Sequence, residues 1–175
     1  MTEIKSVQYT AKTHTSGGRD GSAHSNDGRL DIRLTVPGTI GTGTNPEQLL
    51  AAGWSACLLS GMVLAARNLK VTVPSVRFIY AEVDLCRGDD GYFLRARLNF
   101  SLPGVNREIA KALMQETHRI CPYSKAMHGN IDVAINLVDD VLKTPLKDQL
   151  PNSCHPKVEQ QTSGWSQNNV GSNNL

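Results

Sequence analysis

The sequence predicts a mixed α+β domain, an antiparallel sheet packed around one long buried central helix. Three observations predict it. Residues 30–36 and 94–102 alternate apolar with polar, as half-buried strands do, and residues 49–67 are apolar on nearly every side, as a buried helix is. Glycine-rich turns that suit hairpins divide the strand-like stretches.

At 175 residues, 39% hydrophobic and 19% charged, the chain has the size and balance of a globular protein with one core. The formal net charge is +2, with no run of like charges and no basic stripe interleaved with aromatics, which argues against a nucleic-acid partner. Met1 to Ser6 lacks the apolar region of a secretory signal, and no segment is read as approaching the ~18 consecutive apolar residues of a membrane span. The expectation is a soluble cytoplasmic protein without membrane partners. Its four cysteines, Cys57, Cys86, Cys121 and Cys154, form no Cys-x-x-Cys pair. In a reducing compartment such thiols stay free unless they are catalytic or redox-sensing.

The elements follow in order. Val7, Tyr9 and Ala11 alternate with polar residues, and Leu30, Ile32, Leu34 and Val36 do so more cleanly, giving two opening strands. Between them, Gly17-Gly18-Arg19-Asp20-Gly21 and Asn26-Asp27-Gly28 read as turns. After a flexible glycine run, Asn45-Pro46-Glu47-Gln48 starts a helix: Asn45 as N-cap, Pro46 at the first helical position, Glu47 at the positive end of the dipole, and Gln48 closing a capping box. That helix runs to about Asn68. Strand character returns at Val71, Val73 and Val76 to Leu85, and Gly88-Asp89-Asp90-Gly91 turns it into Leu94 to Leu102 as a hairpin. Pro103-Gly104 breaks the strand. Ile109, Leu113, Thr117 and Ile120 then mark an amphipathic helix ending near Cys121-Pro122, and Ile131 to Leu137 alternate as a last strand. Residues 1–140 thus form the domain. Residues 141–175, broken by prolines and rich in Asn, Ser and Gln, form a C-terminal extension without a core-forming pattern.

Two thiols stand out. Cys57 lies mid-helix, where a cysteine is ordinarily a small hydrophobe. Cys121, followed by Pro122, sits at a helix start whose dipole favours a thiolate, and on local grounds it is the more activated of the two. A catalytic thiolate needs a cation, which Arg19 in its glycine turn can offer. Glu47 alone reads as a helix-start acid; on a continuous helix it stands about 15 Å from Cys57, so cooperation has to pass through Arg19 or a break at Gly53. His118, Cys121, His128, Cys154 and His155 match no familiar zinc spacing. Gly38-x-x-Gly41-x-Gly43 lacks the lysine of a phosphate loop and the third glycine of a dinucleotide site.

Together, Gly17-Gly18-Arg19-Asp20-Gly21, the run from Thr44-Asn45-Pro46-Glu47-Gln48-Leu49 to Ala51-Ala52-Gly53-Trp54-Ser55-Ala56-Cys57, and Cys121-Pro122-Tyr123-Ser124-Lys125-Ala126 with Gly129-Asn130 closely resemble the organic hydroperoxide resistance proteins of the osmotically inducible protein C superfamily. The resemblance covers residues 1–140. It implies an intertwined homodimer and a thiol peroxidase that reduces organic hydroperoxides. Cys57 would be peroxidatic and Cys121 resolving, reversing the local ranking, with Arg19 activating and Glu47 orienting it. It further implies a Cys57–Cys121 disulfide recycled by a dithiol such as dihydrolipoamide or a lipoylated protein, and no cofactor. A redox sensor or a non-catalytic binding protein on the same fold is the competing reading. Two departures from the family are the shorter loop between Pro37 and Asn45 and the extension after about residue 143.

Overall fold

The computed structural model describes residues 4–139; the extension 141–175 and Cys154 lie outside the described residues. In chain order the elements are β1 (Thr13–Ser16), a 3-10 turn (Gly18–Asp20), β2 (Ser22–Ser25), β3 (Asp31–Arg33), α1 (Pro46–Leu69), β4 (Phe78–Gly88), β5 (Gly91–Ser101), α2 (Arg107–Ile120), α3 (Pro122–Met127) and β6 (Asp132–Val138). Strands β1, β2 and β3 form one antiparallel three-stranded sheet, and β4, β5 and β6 form a second.

The β1–β2 connection carries Arg19, and its glycines are required. Gly17 (φ 70°) and Gly18 (φ 59°) adopt the left-handed conformation, and a Cβ at Gly21 would lie 1.8 Å from the Ser16 carbonyl oxygen. Strand β2, Ser-Ala-His-Ser, has no strand-like composition; it is extended because β1 and β3 pair with it on both sides. The alternation at Val7, Tyr9 and Ala11 gives no strand. Val7 and Tyr9 are 73% and 78% exposed, since an alternating segment becomes a strand only when a partner offers its backbone, and none of the described residues does. Val71 and Val73 are likewise outside any strand, though they pack against the core.

Helix α1 starts as expected. The Asn45 side chain accepts the Gln48 N–H at 2.9 Å, and Pro46 opens the first turn. The Gln48 side chain does not close a capping box; its Oε1 accepts the Thr44 hydroxyl at 2.8 Å. The helix is unbroken at Gly53. Trp54, Leu58, Met62, Ala65 and Ala66 form its buried stripe, while Ala52, Ala56, Val63 and Leu64 on the opposite side are exposed, so a single chain buries one face of a helix that is apolar all round. By length and mean hydropathy (1.8 over 18 residues) α1 could cross a membrane, which corrects the reading that no segment approaches a span; its buried stripe is instead packed in the protein core.

β4 and β5 make the hairpin, closed by Asp89-Asp90 between the Gly88–Gly91 pair. β6 pairs parallel to β5, because α2 and α3 carry the chain back to the starting end of the sheet. One sheet face presents Ala96, Leu98 and Phe100, flanked by Ile79, Ala81, Val83, Val133, Ile135 and Leu137, to α1 and α2. α2 contributes Ala110, Leu113, Met114 and Thr117, whereas Ile109 of the expected stripe is exposed. The other face carries an ion-pair ladder in which Arg97 bridges Glu82 and Asp84, with Arg95 on Asp84 at 2.7 Å.

Since Leu98 is fully buried and Leu85 is 44% exposed on the same hairpin, Leu98→Ala is expected to cost about 2–5 kcal/mol and Leu85→Ala well under that. Urea unfolding of the two variants checks this, and equal costs would contradict the packing described.

Candidate active site

The two ends of the site are set by α1, which carries Glu47 in its first turn and Cys57 ten residues later, about 15 Å along the axis. At the first end, Arg19 Nη1 donates to Glu47 Oε2 at 2.8 Å and Nη2 to Oε1 at 2.6 Å, a forked bidentate pair. The hydrogen bond from Arg19 holds the Glu47 carboxyl below the usual carboxylate range against the opposing effect of burial. The same contact raises Arg19 above its ordinary value, so both groups are charged at neutral pH.

At the second end, Cys121 Sγ donates to Cys57 Sγ at 3.4 Å, both as free thiols. Cys121 is both the C-cap of α2 and the N-cap of α3, the helix-start position read from Pro122, and it is fully buried; Cys57 is half-buried. Burial pushes the Cys57 thiol above its ordinary range, the hydrogen bond with Cys121 pushes it the same way, and the Tyr123 backbone N–H pulls it back. That N–H is a contact which motif reading did not reveal, because it depends on how α3 docks on α1.

The direction of this shift has a consequence for stability. A thiol whose pKa is raised on folding contributes stability that is fully present below the unfolded value of about 8.5 and lost as pH rises through the folded value. Urea stability is therefore expected to fall above about pH 8.5, and more shallowly in Cys57→Ala. An alkaline limb unchanged by that substitution would contradict the shift.

Around the thiols, Tyr123 is partly exposed and its ring sits over Gly53, where a Cβ would come within 3.0 Å of the Tyr123 hydroxyl oxygen. Trp54 Nε1 donates to Ser124 Oγ at 3.0 Å in the buried layer between α1 and α3. Leu58 and Met62, close to Cys57 in sequence, are fully buried in the core; on a helix, neighbours along the chain point in different directions.

The chain therefore brings Cys57 to Cys121 and Arg19 to Glu47, as two pairs on one helix. Among the described residues no three His, Cys, Asp or Glu side chains converge as a metal site. The Gly38–Gly43 loop folds onto its own Thr35, whose Oγ1 accepts the Gly43 N–H at 3.0 Å, and a Cβ at Gly41 would meet that threonine at 2.6 Å.

The family model described as OsmC-like protein matches residues 37–136. An organic hydroperoxide resistance protein of Xanthomonas axonopodis pv. citri is 38% identical over 141 residues, covering 78% of this chain and 99% of the relative. This chain belongs to the OsmC-like family, among the organic hydroperoxide resistance proteins. The organic hydroperoxide resistance protein OhrA of Bacillus subtilis is also 38% identical, over 75% of this chain and 96% of its own. The crystal structure of Bacillus subtilis OhrB superposes with a TM-score of 0.71 at 35% identity, covering 75% of this chain and all of that one. The chain thus has the OsmC-like fold, a mixed α+β arrangement with antiparallel sheets and a long helix.

Proposed function

We propose that this protein is a thiol peroxidase that reduces organic hydroperoxides to alcohols, with residues 1–140 carrying the activity. The observation that supports this most is a half-buried Cys57 sulfur 3.4 Å from a fully buried Cys121 sulfur. The accessible thiol meets peroxide and the sheltered one waits behind it. That asymmetry favours Cys57 as the attacking group although Cys121 holds the helix-start position. The names of the family relatives, organic hydroperoxide resistance proteins, point to the substrate class.

Cys57 thiolate attacks one peroxide oxygen, the O–O bond breaks, the alkoxide takes up a proton and leaves as alcohol, and Cys57 becomes a sulfenic acid. Cys121 thiol attacks that sulfur and water leaves, forming the Cys57–Cys121 disulfide; the sulfurs have only to close from 3.4 Å to about 2.05 Å. An external dithiol, of the dihydrolipoamide kind, then takes the disulfide's place as the oxidised partner and restores both thiols. Because the resting Cys57 thiol lies above its ordinary range, a cation is required at the moment of attack. Arg19, held in a fork by the Glu47 carboxylate, is the cation assigned to that role, and it would also stabilise negative charge on the departing oxygen.

We further infer a homodimer in the cytoplasm. The exposed apolar side of α1 and the unpaired alternation at Val7, Tyr9 and Ala11 are surfaces that a second copy would cover.

A coupled assay with cumene hydroperoxide and dihydrolipoamide tests the reading. Sustained turnover is expected, with higher kcat/KM for cumene hydroperoxide than for hydrogen peroxide, since Tyr123, whose backbone N–H reaches Cys57 and whose side chain is partly exposed, offers apolar surface to an alkyl group. A single oxidation without turnover would mark a redox sensor instead, and equal or better use of hydrogen peroxide would overturn the substrate class.

A further inference from the structure

Helix α3 has six residues and meets α1 through a repeated pattern: Cys57 faces Cys121 at the α3 N-cap, and three residues before the one and three after the other Trp54 faces Ser124. Three polar contacts among the described residues join these helices: the Cys121–Cys57 thiol contact, the Tyr123 N–H toward Cys57, and the Trp54–Ser124 hydrogen bond. The first two end on the Cys57 sulfur and must change whenever that sulfur is oxidised. The third involves no redox atom and can persist in both states. Trp54 is fully buried and Ser124 nearly so; sliding α3 along α1 would strand an indole N–H away from water and from any acceptor.

We propose that Trp54 and Ser124 are positioning residues, whose buried hydrogen bond fixes the 121–124 turn on α1 and so sets the reach between the Cys57 and Cys121 sulfurs. For its role in turnover this rests on the peroxidase reading above. Its physical content is separate: the bond raises the effective concentration of one thiol at the other, and a misplacement of about 1 Å can cost on the order of a hundredfold in such steps. Gly53 completes the seat, since any side chain there would meet the Tyr123 hydroxyl oxygen.

The test uses the full chain equilibrated in glutathione redox buffer, with the Cys57–Cys121 bridge quantified by non-reducing peptide mass mapping. Two thiols give two electrons and two protons to glutathione disulfide, which leaves as two glutathione thiols, so no hydroperoxide is involved. Ser124→Ala and Trp54→Phe are expected to lower the equilibrium constant for bridge formation about tenfold, a shift of about 30 mV. Ser124→Thr, which keeps the hydroxyl, is expected to stay within about twofold of wild type. An equilibrium constant unchanged in both Ser124→Ala and Trp54→Phe overturns the proposal, whatever happens to their melting temperatures, because a merely structural bond would move only the latter. If Ser124→Ala does not fold, Trp54→Phe decides alone, since it keeps an aromatic ring in the core. No Cys57–Cys121 bridge in wild type would overturn the proposal. A normal bridge without hydroperoxide turnover would overturn only the peroxidase reading.

Discussion

Cys57→Ser is expected to reduce hydroperoxide turnover to background, a loss on the order of a thousandfold or more, equivalent to at least about 4 kcal/mol of barrier. A serine hydroxyl stays protonated at neutral pH and is a poor nucleophile toward peroxide oxygen, whereas a thiolate is a strong one. Cys121→Ser is expected to behave differently: the first attack needs only Cys57, so one equivalent of peroxide is still consumed, but the sulfenic acid has lost the thiol that stood 3.4 Å away. Mass spectrometry separates the two. Wild type treated with one equivalent of cumene hydroperoxide should carry a Cys57–Cys121 bridge, and Cys121→Ser should carry added oxygen on Cys57, advancing to sulfinic acid with excess oxidant. Oxygen on Cys121 in Cys57→Ser, formed at the wild-type rate, would reverse the assignment in favour of the helix-start cysteine.

Arg19→Ala is expected to slow peroxide attack by about 10²–10³-fold, the usual cost of losing one group that stabilises developing charge. Folding should change little. The Gly17–Gly21 turn is held by its own backbone, and the ion pair lost joins an arginine side chain 40% exposed to a glutamate, so solvent screening limits its contribution to about 1 kcal/mol. Arg19→Lys is expected to recover only part of the rate, because an ammonium cannot fill both oxygens of Glu47 with a planar fork. Stopped-flow measurement of the first oxidation, beside urea unfolding, distinguishes a chemical role from a structural one. Unchanged attack rates in Arg19→Ala would remove Arg19 from the mechanism.

The features readable in the sequence are those decided within a few residues of themselves. Asn45 and Pro46 announce the start of α1 because a cap acts on an N–H only three positions away, and Gly88 to Gly91 announce the hairpin because a tight turn is a local backbone event. Gly17, Gly18 and Gly21 are legible for the same reason. The order and spacing of the three motifs likewise sufficed to place the chain in its family, with Cys57, Cys121, Arg19 and Glu47 as the residues to examine.

What could not be read locally depends on partners distant in the chain. Ser22–Ser25 is a strand only because two other strands flank it, and Val7 to Ala11 is not one because no described strand does. Leu58 and Met62 point into the core although they neighbour Cys57 in sequence. The exposure of the two thiols turns on the same kind of fact. A helix dipole favours a Cys121 thiolate on local grounds, whereas it is the fold that buries Cys121 completely and leaves Cys57 half-open. Capping, turn chemistry and periodicity are written in consecutive residues; solvent access and the distance between two sulfurs 64 positions apart are fixed only when α3 docks on α1.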